Sequence, residues 1–113
     1  MTSESNNTHA ASATRIRRDV LRMIYSAGSS HVASCLSIVD LLAVLYGSVL
    51  MIDPHNPNET TRDRFILSKG HAAAALYATL TEYGFFPKSR LKTFYQNGTS
   101  LLGHVTKGTP GVE

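Results

Sequence analysis

The stretch Asp63–Tyr77, DRFILSKGHAAAALY, decides the fold class. Its first part, Arg64-Phe65-Ile66-Leu67, is rich in β-forming residues and stops at Ser68. Lys69, Gly70 and His71 follow, and then an alanine-rich helix begins. A strand feeding a helix through a tight Gly-containing turn is the ordinary ligand site of an α/β protein. Ligands sit at the carboxyl ends of strands, and helix N-termini point free N–H groups at anions. Here the corner also carries a cation and an imidazole, which points to an enzyme or a piece of one.

Working outward, Met1–Ala13 is rich in Ser, Thr, Asn and Ala and is expected to be a disordered tail. A first helix is expected from about Thr14 to Ser26, with Ile16, Val20, Met23, Ile24 and Ala27 near helical spacing, and Gly28 ends it. Ser37 reads as the N-cap of a second helix, with Asp40 three residues on as the partner in a capping box. That helix is apolar nearly all round, as expected of one buried in a larger body. Asp53–Asp63, with its prolines and asparagines, reads as an exposed loop. Gly84 is expected to stop the third helix, and Pro87 to open a fourth that runs to about Tyr95. Thr99–Glu113 reads as loop.

The expected fold class is therefore α/β, with about four helices and one parallel-type strand. One strand cannot make a sheet, and an open edge on a central strand is an aggregation site. Its neighbours are expected to come from elsewhere, so the chain reads as an incomplete fold.

Composition narrows the function classes. The 113 residues suffice for one small domain, and 42% hydrophobic content argues against wholesale disorder. The net charge of +3 is mild. Arg15, Arg17, Arg18 and Arg22 lie on a helix whose other face is apolar, which reads as a solvated or subunit-facing surface rather than a nucleic-acid site. The single cysteine, Cys35, rules out an internal disulfide and suits a buried filler in a reducing compartment. The apolar run Leu41–Leu50 is too short to span a membrane. A cytoplasmic location is expected.

Three histidines share a setting. His31 follows Ser30, His71 follows Gly70 and His104 follows Gly103. Small neighbours let backbone and ligand approach closely. Their separations of 40 and 33 residues match no short metal motif. Lys69 reads either as a neutraliser of a phosphate or as a solvated lysine. His9 and His55 read as solvated. Neither a P-loop nor a dinucleotide fingerprint is present.

Three segments carry a resemblance. SSHVASCLSIVDLLAVLY, DRFILSKGHAAAALYATLTEYGFF and LLGHVTKGTPGVE stand in order along the chain. Together they resemble the N-terminal, thiamine-diphosphate-binding part of transketolases, from about Arg15 to Glu113. The wording S-K-G-H-A is similar to the split, two-subunit bacterial type. The resemblance implies that residues 14–113 form the N-terminal part of the cofactor (pyrophosphate-binding) domain, one portion of a three-layer α/β/α body. It implies transfer of a two-carbon ketol unit between sugar phosphates, with thiamine diphosphate and Mg (or Ca) as cofactors.

By the same resemblance His71, Gly70, Lys69 and His104 would bind cofactor, His71 near its diphosphate and reactive carbon. His104 would hydrogen-bond the substrate's C1 hydroxyl and carbonyl, and His31 would help move protons at the substrate oxygens. No residue of this chain is assigned to the metal. The family's diphosphate loop and metal-holding segment are expected outside these residues, on the remaining transketolase chain or a C-terminal subunit in a dimeric assembly. Ser30 and Ala33 stand where the family pattern has glycine. Two other outcomes stay open: a related enzyme such as a deoxyxylulose-phosphate synthase, and a non-catalytic remnant or subunit-interaction module.

Overall fold

The computed structural model describes residues 3–28, 32–68 and 72–94. In chain order these form α1 (Ser3–Ala27), α2 (Val32–Leu36), α3 (Val39–Val44), a π-helical turn (Leu45–Val49), α4 (Ala73–Glu82) and a 3₁₀ segment (Lys88–Thr93).

Helix α4 is the hub. Residues Ala72 to Leu80 are all buried, and α1, α2, α3 and the 3₁₀ segment pack around them. Alanine at 73, 74, 75 and 78 explains the arrangement, because a helix surrounded by others needs small side chains for close approach. Tyr77 and Leu80 fill the remaining space at 0% exposure. Two hydroxyls are buried there as well. Thr79 donates to the Ala75 carbonyl at 2.7 Å and Thr81 to that of Ala78 at 2.9 Å, so neither is left unsatisfied. From α1, Ile16 and Val20 are fully buried against this core. Each such side chain contributes about 1.5–3 kcal/mol by leaving water.

Several expectations hold. Gly28 and Gly84 end α1 and α4 with φ of +66° and +88°, the left-handed conformation that a side chain disfavours. Asp53–Arg62 forms a chain of turns. Pro87 is the N-cap of the segment expected as a fourth helix, which is 3₁₀ rather than α over its described length and follows five other described helical elements.

Others are corrected. Helix α1 starts at Ser3, so the expected tail 1–13 is helical from there on. His9, Ser12 and Ala13 are buried, which gives those turns a packing partner that composition alone hides. The capping box at Ser37 does not form. Ser37 lies in the turn between α2 and α3, with its N–H bonded to Ala33 O at 3.0 Å as the last bond of α2 and its hydroxyl donating back to Ser34 O. Ile38 caps α3 without a side-chain bond, and Asp40 pairs with Arg17 instead.

The segment Val32–Val49 is long and apolar enough, by composition, to cross a membrane. It is broken into α2, α3 and the π turn, and Cys35, Val39, Leu42, Ala43 and Tyr46 are buried against the other helices. Its other face stays open, with Leu41 57% and Val49 56% exposed.

The expected strand is not formed among the described residues, where no strand occurs. Residues 64–67 run without regular structure, yet burial alternates along them. Phe65 and Leu67 are half-buried against the core while Arg64 and Ile66 face out. A strand needs a ladder partner, and the described residues supply none.

Candidate functional site

The five residues assigned to chemistry, His31, Lys69, Gly70, His71 and His104, lie outside the described residues. Their immediate neighbours are described. Helix α2 begins at Val32, directly after His31, and Ala72 caps α4 directly after His71. The two helices pack against each other. Two of the three histidines therefore precede helices that share a contact, and one of those helices, α4, is the most buried among the described elements.

The segment entering the corner is held from below. Asp63 closes the loop that precedes it. Its N–H donates to the Met51 carbonyl at 2.9 Å, and its carboxylate accepts the Met51 N–H at 2.6 Å. Phe65 then meets Tyr46 edge-on, with ring centroids 5.9 Å apart. Tyr46 in turn stacks with Tyr83 at 6.4 Å and meets Phe85 edge-on at 6.1 Å. Such aromatic contacts are each worth about 0.5–1.5 kcal/mol beyond area burial. One tyrosine thus joins the π turn, the entering segment and the end of α4.

Glu59 in the loop has its carboxyl held below the usual range by hydrogen bonds, first the Thr61 backbone N–H and then the Thr61 hydroxyl. No group of three or more His, Cys, Asp or Glu able to hold a metal occurs among the described residues. Cys35 is buried, as a filler would be. Arg15 and Arg17 are engaged by Glu82 and Asp40, which accounts for half of the arginine cluster.

The sequence reading missed His9. It is 8% exposed rather than solvated, and its Nε2 lies 2.6 Å from Ser48 Oγ. Its Nδ1 is buried with no hydrogen-bond partner. The signal was present: positions 9, 13, 16 and 20 continue one helical stripe backward from Val20.

Comparison with known proteins decides the family. The family described as "Transketolase, thiamine diphosphate binding domain" matches residues 8–113. The chain belongs to this family. It is 47% identical over 99 residues to a 6-deoxy-6-sulfo-D-fructose transketolase subunit of Clostridium sp., covering 87% of this chain and 36% of that one. It is 38% identical over 97 residues to an apulose-4-phosphate transketolase subunit of Phocaeicola vulgatus, covering 86% and 34%. Among solved structures, transketolase from Leishmania mexicana superposes with a TM-score of 0.86 at 31% identity, over 99% of this chain and 16% of that one. The chain thus spans about a third of the length of the subunit relatives it matches. The helical arrangement described above is the arrangement found in this transketolase. Its relatives include proteins named as transketolase subunits as well as proteins named simply transketolase.

Proposed function

We propose that this chain supplies one wall of the active site of a thiamine-diphosphate-dependent transketolase, which moves a two-carbon ketol unit between sugar phosphates. The observation that carries the reading is the match to the cofactor-binding family across residues 8–113, which include all five assigned residues. Activity requires the remaining transketolase chain or C-terminal subunit, in a cytoplasmic dimeric assembly. In that assembly residues 64–67 take their place as a strand of the α/β/α sheet. The alternating burial of Phe65 and Leu67 supports this.

Thiamine diphosphate would supply the carbanion chemistry when bound, and Mg or Ca, held by residues of the completing chain, would offset the charge of its diphosphate. Lys69 and Gly70 would hold the diphosphate side, the one by charge and the other by close backbone approach. His71 and His104 would position the reacting groups. His31 would hold or move a proton at the substrate oxygens, a task suited to imidazole near neutral pH. Sugar phosphates are the substrates, with no role for nucleic acid or membrane. The open positions Leu41 on α3 and Val49 on the π turn meet protein rather than lipid.

The replacement of the family glycine at Ala33 is compatible with this role. Ala33 is exposed in the first turn of α2, so its methyl group displaces nothing among the described residues.

The test is an assay of this chain combined with the chain that completes it. Ketol transfer from a ketose phosphate to an aldose phosphate is expected, and His71→Ala lowers kcat by about 100-fold or more. Turnover of pyruvate in place of a ketose would mark the deoxyxylulose-phosphate type. A well-folded complete assembly with no transfer activity would mark a non-catalytic module and end the proposal.

A further inference from the structure

Arg15 and Arg17 of α1 are paired with Glu82 and Asp40. The other half of the arginine cluster differs. Arg18 and Arg22 are exposed, and among the described residues neither has an ion pair or a hydrogen bond. Leu21 and Tyr25 stand with them. Positions 18, 21, 22 and 25 have the i, i+3, i+4, i+7 spacing of one helix face. That face lies opposite the buried stripe of Ile16, Val20, Met23 and Ile24. Leu21 is 49% exposed and Tyr25 90%, and the Tyr25 hydroxyl has no partner among the described residues.

The chemistry of this face decides what it fits. Tyrosine and arginine anchor protein interfaces, because each covers a large area and ends in hydrogen-bond donors. Guanidinium groups also form paired, bidentate bonds with carboxylates. A matching surface therefore brings an apolar side chain to Leu21 and Tyr25, and carboxylates to Arg18 and Arg22. A second copy of this chain does not match. Two such faces set together oppose four guanidinium groups. Asp19, Asp40, Asp53, Glu59, Asp63 and Glu82 already accept hydrogen bonds within the chain. Nucleic acid matches poorly too, since two cations offset only two phosphates and the leucine finds no counterpart.

We propose that this face of α1 docks a segment of the completing transketolase chain that carries Asp or Glu beside an apolar side chain. The inference rests on the reading that a further chain completes the enzyme. This chain covers 36% and 34% of the two subunit relatives, so most of such a protein lies outside it. Helix α1 gives way to Gly28, three positions before His31. A segment seated on Tyr25 fixes the helix end from which the chain runs to that histidine.

The experiment measures the dissociation constant between the full chain and the completing chain that supports ketol transfer, at low and at high salt. The double reversal Arg18→Glu/Arg22→Glu weakens assembly by about tenfold or more and flattens its salt dependence. Tyr25→Ser weakens it by about the same factor. Arg17→Gln removes a positive charge from α1 away from this face and leaves assembly near the parent value. Positions 18, 22 and 25 are exposed, so helical circular dichroism stays that of the parent. With p-benzoyl-phenylalanine in place of Tyr25, light-induced cross-linking joins the completing chain at a peptide containing Asp or Glu. An active assembly in which the double reversal binds as tightly as the parent, or in which Arg17→Gln weakens binding equally, overturns the docking face and leaves the proposed function standing. A cross-link to a second copy of this chain or to nucleic acid overturns it as well. If no completing chain supports transfer, the proposed function fails and the docking face fails with it.

Discussion

His9 Nε2 lies 2.6 Å from Ser48 Oγ, a contact across 39 residues that fastens the early turns of α1 to the π-helical turn. Gly47 lets the two elements meet. A methyl group built there would stand 3.0 Å from His9 Cδ2 and 3.0 Å from the Tyr83 hydroxyl. That hydroxyl donates to the Ala43 carbonyl at 3.0 Å, where the helix changes from α to π bonding. Gly47→Ala is therefore an overpacking change, costing about 1–3 kcal/mol. The better helix propensity of alanine offsets up to about 1 kcal/mol of that. A net loss of about 1–2 kcal/mol is expected in urea unfolding. In the double variant with His9→Ala the new methyl gains room, so the two losses should fall short of additive by about 0.5 kcal/mol or more. Simple additivity would show that the contact does not constrain the turn.

Asp63 ties both ends of the 51–63 loop, through its own N–H and through its carboxylate. Asp63→Ala removes the acceptor and leaves the Met51 N–H to water. The expected cost is about 1–2 kcal/mol, concentrated in the loop and in the Phe65 contact beyond it. Hydrogen exchange should speed up at Met51 and Asp63, and proteolytic nicking between residues 53 and 62 should rise. Unchanged exchange at Met51 would show that the carboxylate bond does not hold the loop.

The places where sequence and structure agree are those where one residue acts locally. Gly28 and Gly84 stop helices because a positive φ is a single-residue property. The 53–63 loop is legible because proline and asparagine act on their own backbone. What was not legible depends on partners distant in sequence. Residues 3–13 look like a tail until Ser48, 39 positions beyond His9, supplies the surface that His9 packs on. Ser37 has the look of an N-cap until a preceding turn of helix uses its N–H. Arg64–Leu67 has strand propensity and alternating burial, but a ladder is a property of two segments. The candidate site is similar. Its histidines are assigned from context and resemblance and lie outside the described residues, which show only the helices and aromatic contacts that adjoin some of them.

The Lys88 network has a definite pH dependence. Burial alone would lower the Lys88 pKa. The hydrogen bonds and charges of Asp19 and Glu82 together outweigh burial and raise it above the usual lysine value. A raised folded-state pKa means that the stabilisation is fully present below the unfolded value, about 10.4. It is lost as pH rises through the folded value. Because the lysine side chain is 46% exposed, the contribution is discounted to about 0.5–1 kcal/mol. Lys88→Met should lower stability by that amount at pH 7 to 9, and the gap from the parent should narrow above pH 10. A gap that stays constant to pH 11.5 would assign the loss to packing instead.

Apolar exposure bears on the isolated 113-residue chain. Tyr25, Met51 and Ile66 are 90%, 76% and 75% exposed, and Leu41 on α3 and Val49 on the π turn are open as well. Ile66 sits on the outward side of the would-be strand, beside backbone that has no ladder partner among the described residues. Such a segment recruits other chains by edge pairing or apolar contact. The isolated chain is therefore expected to bind a hydrophobic dye strongly, to melt broadly, and to associate as concentration rises. Ile66→Lys should reduce association while leaving helical circular dichroism unchanged, because the outward side chain takes no part in the core. The same change should weaken capture of the completing chain by about tenfold or more, since a lysine at a buried contact carries an uncompensated charge. A sharp cooperative melt of a monomer with little dye binding would show that these surfaces need no cover.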